Sequence, residues 1–247
     1  MNGTYARCVN IKEAVCGPNV KVMDSTYEDC TNLIGNPVCS PVTTSMNNTY
    51  RNCYNLNGQA VCAENVYNFY STYENCYSLT GSPVCSDKVS GMWRTYYNCY
   101  NLTGAAACGA NVTAMNYTYY YCNNLTTAAC GDKVTTMTNA YRNCHNLKYS
   151  ACGPNVTNMS DAYHHCISLT TCVVGDKVTN MANAYRGCTN LNVAIIKGST
   201  PNLYHAFDDC PNIDNAYIYC TNLSNIAYCF GSRDYNRKIN IYVTAGS

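Results

Sequence analysis

The chain of 247 residues is short of charge: Asp, Glu, Lys and Arg make up 12% of it, and the formal net charge is +1. Globular proteins usually hold about a quarter. With no basic stripe, nucleic acid is excluded as a partner. Long apolar runs are missing too. No stretch approaches about 18 apolar residues, so no membrane span is expected. The N-terminus (MNGTYARC) lacks a basic segment followed by an apolar core, so no secretion signal is visible. Its first residues already lie inside a repeat, and the chain is read as a fragment, a mature product or a protein released by lysis.

Catalytic and metal signatures are absent as well. There is no phosphate-cradling glycine loop, no Gly-x-Ser-x-Gly elbow and no Cys-x2-Cys pair; Cys166 and Cys172 come nearest. His145, His164, His165 and His205 fall on variable positions with no fixed acidic partner. Nucleophilic catalysis, metal binding and a cofactor are therefore not expected, and the chain reads as a non-enzyme.

Cysteine and tyrosine are abundant, with 20 Cys and 25 Tyr against 3 Phe and 1 Trp. A cysteine recurs at positions 8, 30, 53, 76, 99, 122, 144, 166, 188 and 210, in steps of 22 or 23. A fixed period of this size marks a stacked repeat. A Tyr precedes each ladder cysteine by three residues, from Tyr5 to Tyr185, with Phe207 in the next copy. Asn-Leu follows it, as at Asn55 and Leu56, then a second cysteine (Cys16, Cys39, Cys62, Cys85, Cys108, Cys130, Cys152), a Val, and a Met three residues on. Positions that stay apolar in every copy face a shared interior, so Tyr, both cysteines, Leu, Val and Met form its columns.

Local chemistry gives the coil its parts. The Val-Cys segment after Gly or Pro, as in Gly81 to Cys85, reads as one short strand per turn, stacked in parallel. Met137, Ala140, Tyr141 and Cys144 fall at i, i+3, i+4 and i+7, which predicts a short helical turn. The Asn before Leu reads as an asparagine ladder bonding loop backbone and its neighbours. The fold class is thus an α/β solenoid of about ten coils of 22–23 residues, with one strand and one helical turn in each. The cysteines read either as reduced thiols packed in columns or as a framework with some disulfides.

Asn155 to Cys166 (NVTNMSDAYHHC) and Lys177 to Cys188 (KVTNMANAYRGC) carry a family pattern. They resemble the BspA-like leucine-rich repeats of bacterial surface lipoproteins, with Tyr where that pattern has Phe and Val-Cys in place of its aliphatic strand. The resemblance covers residues 1–229 and implies a leucine-rich-repeat solenoid. Residues 230–247, where Ile239, Ile241 and Val243 alternate, are read as a terminal strand acting as a cap or as the start of a following region. Similar Tyr- and Cys-rich arrays also resemble those of gut bacteriophages.

Function follows from the outer positions. Tyr54, Tyr77 and Tyr100 stand one residue after the ladder cysteine and should form an outward stripe, with Tyr97 and Tyr120 beside it. Exposed Tyr with Asn and Ser suits adaptable recognition, although mutual stacking that merely stabilises the coils fits equally. The resemblance implies a binding or adhesion module on a cell surface or phage particle, extracellular, recognising a host-surface protein or glycan. The alternative is a structural rod, or a virion or tail-fibre part. Such a rod would assemble with itself or with virion proteins through an uncapped N-terminal edge.

Overall fold

The computed structural model describes residues 1–198, 201–220, 223, 225–231 and 239–243. Successive copies of the repeat stack along one axis. The ladder rings trace it from Tyr5 through Tyr27, Tyr50, Tyr73, Tyr96, Tyr119, Tyr141, Tyr163, Tyr185 and Phe207 to Phe230. Consecutive centroids lie 5.3 to 5.7 Å apart and the planes are nearly parallel. Met, Tyr, ladder Cys, Leu and Val form the interior, as Met46, Tyr50, Cys53, Leu56 and Val66 show in one copy. The second cysteine column is only half-buried and packs against that core from one side.

The predicted helical turn is not a helix, and the described residues contain none. Met46 to Cys53 is a run of tandem turns. Thr49, Arg51 and Cys53 donate their N–H to the carbonyls three residues back, those of Met46, Asn48 and Tyr50. Between them, Met46, Asn48, Tyr50 and Asn52 donate to Asn68, Tyr70, Thr72 and Glu74 of the next coil at 2.8 to 2.9 Å. Every second N–H therefore links coils, which an α-helix would not permit. Asn48 and Asn52 are the third residues of their turns and sit at φ 54° and 62°, where Asn is tolerated better than most residues. Tandem turns also bury residues at spacings of three and four, so the pattern at Met137, Ala140, Tyr141 and Cys144 does not require a helix.

The strand at Val-Cys also needs correcting. In most copies this segment pairs with no neighbour, because the ladder tyrosine of its own coil satisfies it. Tyr50 Oη accepts the Val38 N–H at 2.8 Å and donates to Val38 O at 2.6 Å; Tyr163 treats Ala151 the same way at 2.9 and 2.5 Å. Parallel pairing occurs as single bridges just before the Met, such as Ser45 with Asn68 and Asn158 with Asn180, and at the entry to the Val-Cys segment, as Gln59 with Thr80 and Thr127 with Tyr149. It also occurs in a short pair, β1 (Gly104–Ala105) with β2 (Leu125–Thr127). A longer parallel sheet forms near the C-terminal end from β3 (Val193–Ile196), β4 (Asn215–Ile218) and β5 (Asn240–Val243). The reason lies at Phe207, which has no hydroxyl to give Ile195. The Ile195 N–H goes instead to Cys172 Sγ at 2.9 Å, and Ile195 pairs with Tyr217. Phe230 on Phe207, and β5 on β4, carry the same columns and ladder into the closing segment.

The ladder cysteine has a bonding role besides filling space. Cys53 Sγ donates to Tyr27 O of the preceding coil at 3.0 Å, and Cys99 does so to Tyr73 O at 3.0 Å. That carbonyl also accepts the N–H of its own coil's cysteine, so both its lone pairs are used. None of the twenty cysteines is in a disulfide. Burial pushes the Cys30 thiol up to about 11 and those of Cys62, Cys85 and Cys130 up to about 12.

Candidate functional site

The turn run repeats in every coil, so each of its outward positions becomes a column on the surface. Just after the ladder cysteine stand Tyr54, Tyr77 and Tyr100, and the expected stripe forms. Centroids are 5.1 Å apart at both steps, with planes within 6° and 12°. The rings therefore cover one another's faces and turn edges and hydroxyls outward. Tyr54 is exposed, whereas Tyr77 and Tyr100 are half-buried, and burial raises the phenol pKa of both.

The column after the ladder tyrosine places Tyr97 on Tyr120 at 4.8 Å. Tyr121 joins the two groups, edge-on to Tyr100 at 6.4 Å and to Tyr120 at 4.9 Å. All five predicted tyrosines thus belong to one aromatic patch. Burial raises the Tyr120 pKa, with the Arg142 guanidinium, 6.0 Å from its ring, opposing the shift.

Two residues without a repeat signature complete the patch. Trp93 and Arg94 follow the Met, where other copies carry pairs such as Asn47 and Asn48 or Ser160 and Asp161. The only signal for them in sequence is that departure, together with Trp93 being the single tryptophan. Arg94 lies 4.2 Å from the Tyr97 centroid and 5.6 Å from that of Trp93, and pairs with Glu74 at 3.0 Å. Trp93, Arg94, Tyr97 and Tyr117 line a cavity of about 300 Å³.

The backbone under this patch is unusual. Arg94, Tyr117 and Tyr121 have φ of 54°, 58° and 60°, in seats that most other copies give to Asn, Asp, Ser, His or Gly; Arg7 at 63° and Tyr228 at 56° are the other large residues there, and they stand apart in the outermost copies. Large side chains there cost of order 1–3 kcal/mol each, and such residues gather where function requires them.

The predicted asparagine ladder is displaced. The Asn before Leu does bond the preceding coil's backbone, as Asn55 does to Thr31 O at 2.8 Å. Side-chain to side-chain bonding runs mainly one residue before the ladder cysteine instead. Asn98 donates to Asn75, Asn75 to Asn52 and Asn52 to Asp29, at 2.7 to 2.8 Å. Among the described residues, no three His, Cys, Asp or Glu side chains gather as a metal site, and no helix is long and apolar enough to cross a membrane.

The pattern of the BspA type leucine-rich repeat region matches residues 112–236 in six copies. The chain belongs to this family. Two solved structures share the repeat fold. One is a leucine-rich repeat protein from Bacteroides ovatus, 13% identical, with a TM-score of 0.51 over 99% of this chain and 87% of that one. The other is a leucine-rich cell surface protein from Faecalibacterium prausnitzii, 18% identical, with a TM-score of 0.50 over 99% and 76%. No curated protein matches. The aromatic patch begins N-terminal to the matched BspA-type copies, in coils that keep the interior columns but carry a different outer face.

Proposed function

We propose that this chain is a non-enzymatic, surface-displayed adhesion module that engages a host-surface protein or glycan through the tyrosine patch of its middle coils. The observation that carries this reading is the placement of Arg94, Tyr117 and Tyr121 at positive φ within one patch. The fold does not need them there, since small or polar residues, chiefly Asn, Asp and Ser, fill those seats in most other copies, and only in these adjacent coils do large ones gather. Membership of the BspA-type family and the cell-surface description of the Faecalibacterium relative support an extracellular location.

Cell binding by the intact protein and by a Tyr97→Ser/Tyr120→Ser variant tests the reading. Lost binding with an unchanged melting temperature supports it; undiminished binding by the folded variant refutes it.

A structural reading draws on Tyr54, Tyr77 and Tyr100, whose rings face one another rather than the solvent. Under it the chain is a rod, as in a virion or fibre, and the stripe stiffens the stack. Changing all three to Ser should then lower the melting temperature and leave cell binding intact.

A further inference from the structure

We propose that the cavity bounded by Trp93, Arg94, Tyr97 and Tyr117 binds a neutral sugar ring of a glycan chain. This rests on the reading of the patch as a recognition surface and names its ligand. The volume, about 300 Å³, lies at the lower end for small-molecule sites and suits one ring rather than a folded peptide segment.

Charge narrows the ligand further. The single guanidinium at the cavity is paired with the Glu74 carboxylate at 3.0 Å, so no uncompensated positive charge awaits a carboxylate, sulfate or phosphate. A cationic ligand is disfavoured as well. Arg94 already occupies the face of Tyr97 at 4.2 Å and approaches that of Trp93 at 5.6 Å, and a second cation would meet its charge. A neutral ligand remains, and the lining sets its polarity. Tyr97 and Tyr117 bring hydroxyls, which donate and accept, and Arg94 brings N–H donors. Trp93 is 47% exposed and, among the described residues, makes no ring–ring stack, unlike Tyr97, so it can still accept a ligand against its indole. An apolar face beside a set of donors and acceptors matches a sugar ring, which has C–H bonds on one side and hydroxyls around its rim.

The site is also held in place. Arg94 and Tyr117 sit at φ 54° and 58°, and the Tyr97–Tyr120 stack backs the cavity on the next coil.

Trp93 is the only tryptophan, so its fluorescence reports on this cavity alone. The intact protein is screened on an array of neutral, sialylated and sulfated oligosaccharides, and the best neutral probe is then titrated against tryptophan emission. A saturable emission change is expected from the intact protein, and calorimetric titration with the same probe, which also reads Trp93→Ala, should show affinity at least about tenfold weaker in Trp93→Ala and in Arg94→Asn, equivalent to about 1.4 kcal/mol. Asn at position 94 keeps a residue that tolerates positive φ, so this variant should fold even if Trp93→Ala does not. Three results each overturn the proposal: no neutral glycan bound, a preference for acidic glycans, or neutral-glycan binding that survives both substitutions. Cell binding that depends on Tyr97 and Tyr120 without any glycan binding would overturn the sugar and leave the recognition surface standing. Glycan binding without cell binding would do the reverse.

Discussion

Between Cys30 and Cys122 the ladder advances in steps of 23 residues, and from Cys122 to Cys210 in steps of 22. The two regions share their interior columns, the tyrosine bond to the residue twelve positions earlier, and the cysteine thiol on the preceding tyrosine carbonyl. They differ in what joins coil to coil outside that core. In the 23-residue region, buried threonines bond the preceding coil, as Thr72 does to Met46 O at 2.8 Å and Thr118 to Met92 O at 2.7 Å. Asn52, Asn75 and Asn98 add the side-chain ladder. In the 22-residue region Ala140, Ala162, Ala184 and Ala206 replace the threonines, while ion pairs link neighbouring coils in both, as Arg94 with Glu74 and Arg142 with Asp161, each at 3.0 Å. The extra residue lies between Leu and the second cysteine, where Gly35, Gly81 and Gly104 take φ of 75° to 80°. At the junction the pairing of β1 with β2 slips beside Gly104 and Ala105. The difference teaches that the interior fixes the repeat, while the outer bonds are interchangeable and free to carry a site. The aromatic patch occupies the 23-residue coils and ends at this junction.

If the interior is common to both regions, removing one ladder hydroxyl should cost the same in each. Tyr96→Phe strands the N–H and carbonyl of Val84, and Tyr163→Phe strands those of Ala151. Each buried group left without a partner costs about 1–3 kcal/mol, so about 2–6 kcal/mol is expected from each change in urea unfolding. Markedly unequal losses would break the comparison at its strongest point. Alkali should act on both regions together. A thiol whose pKa is raised in the folded state binds its proton more tightly there, so stability is fully present below the unfolded value and falls as pH rises through the folded one. For Cys62, Cys85 and Cys130 that window runs from 9.0 to about 12. Circular dichroism across it, in reductant, should show one transition; resistance to pH 12 would contradict the burial of these thiols.

A smaller effect separates the regions. The residue after the second cysteine's place is Gly131, Gly153 and Gly175 in the 22-residue coils, with Val174 standing for the cysteine before the last, and Ser40, Ala63, Ser86 and Gly109 in the 23-residue ones. A Cβ on Gly153 would lie 2.5 Å from Gly131 O and 3.2 Å from Cys130 Sγ. Gly153→Ala should therefore destabilise by about 1–3 kcal/mol, while Ala63→Gly costs no more than about 1 kcal/mol. Melting temperatures of the pair would show whether the glycines tighten the shorter coils.

The period, the inner columns and the outward tyrosines were legible in the sequence because each depends on one side chain recurring at a fixed offset. The helical turn was misread because tandem turns and a helix bury the same spacings. Asn52, Asn75 and Asn98 before the ladder cysteines were the available clue, since Asn accommodates the positive φ that such turns need. The strand was misread because its backbone bonds belong to a tyrosine hydroxyl twelve residues away, which local propensity does not register. Trp93, Arg94 and Tyr117 had no column to reveal them. Their grouping depends on two neighbouring coils coming into contact and on Glu74 from a third.

The finest test of the comparison lies in the threonine and alanine column. Thr118→Ala removes the bond to Met92 O, but that carbonyl keeps the Thr95 N–H at 3.3 Å, so no buried group is orphaned. The loss should be near 1 kcal/mol, the net worth of an ordinary hydrogen bond. The reverse change, Ala162→Thr, would point a hydroxyl at Met137 O, which now accepts only the Ala140 N–H among the described bonds. The new bond must offset the added volume at a fully buried site, where overpacking costs about 1–3 kcal/mol. If the two regions share one backbone and differ only in the bonds laid across it, both changes stay within about 1 kcal/mol of the parent in urea unfolding. A loss near 3 kcal/mol at Ala162 alone would mean that the 22-residue coils pack more tightly, and that the shorter step, rather than the side chain, selects alanine there.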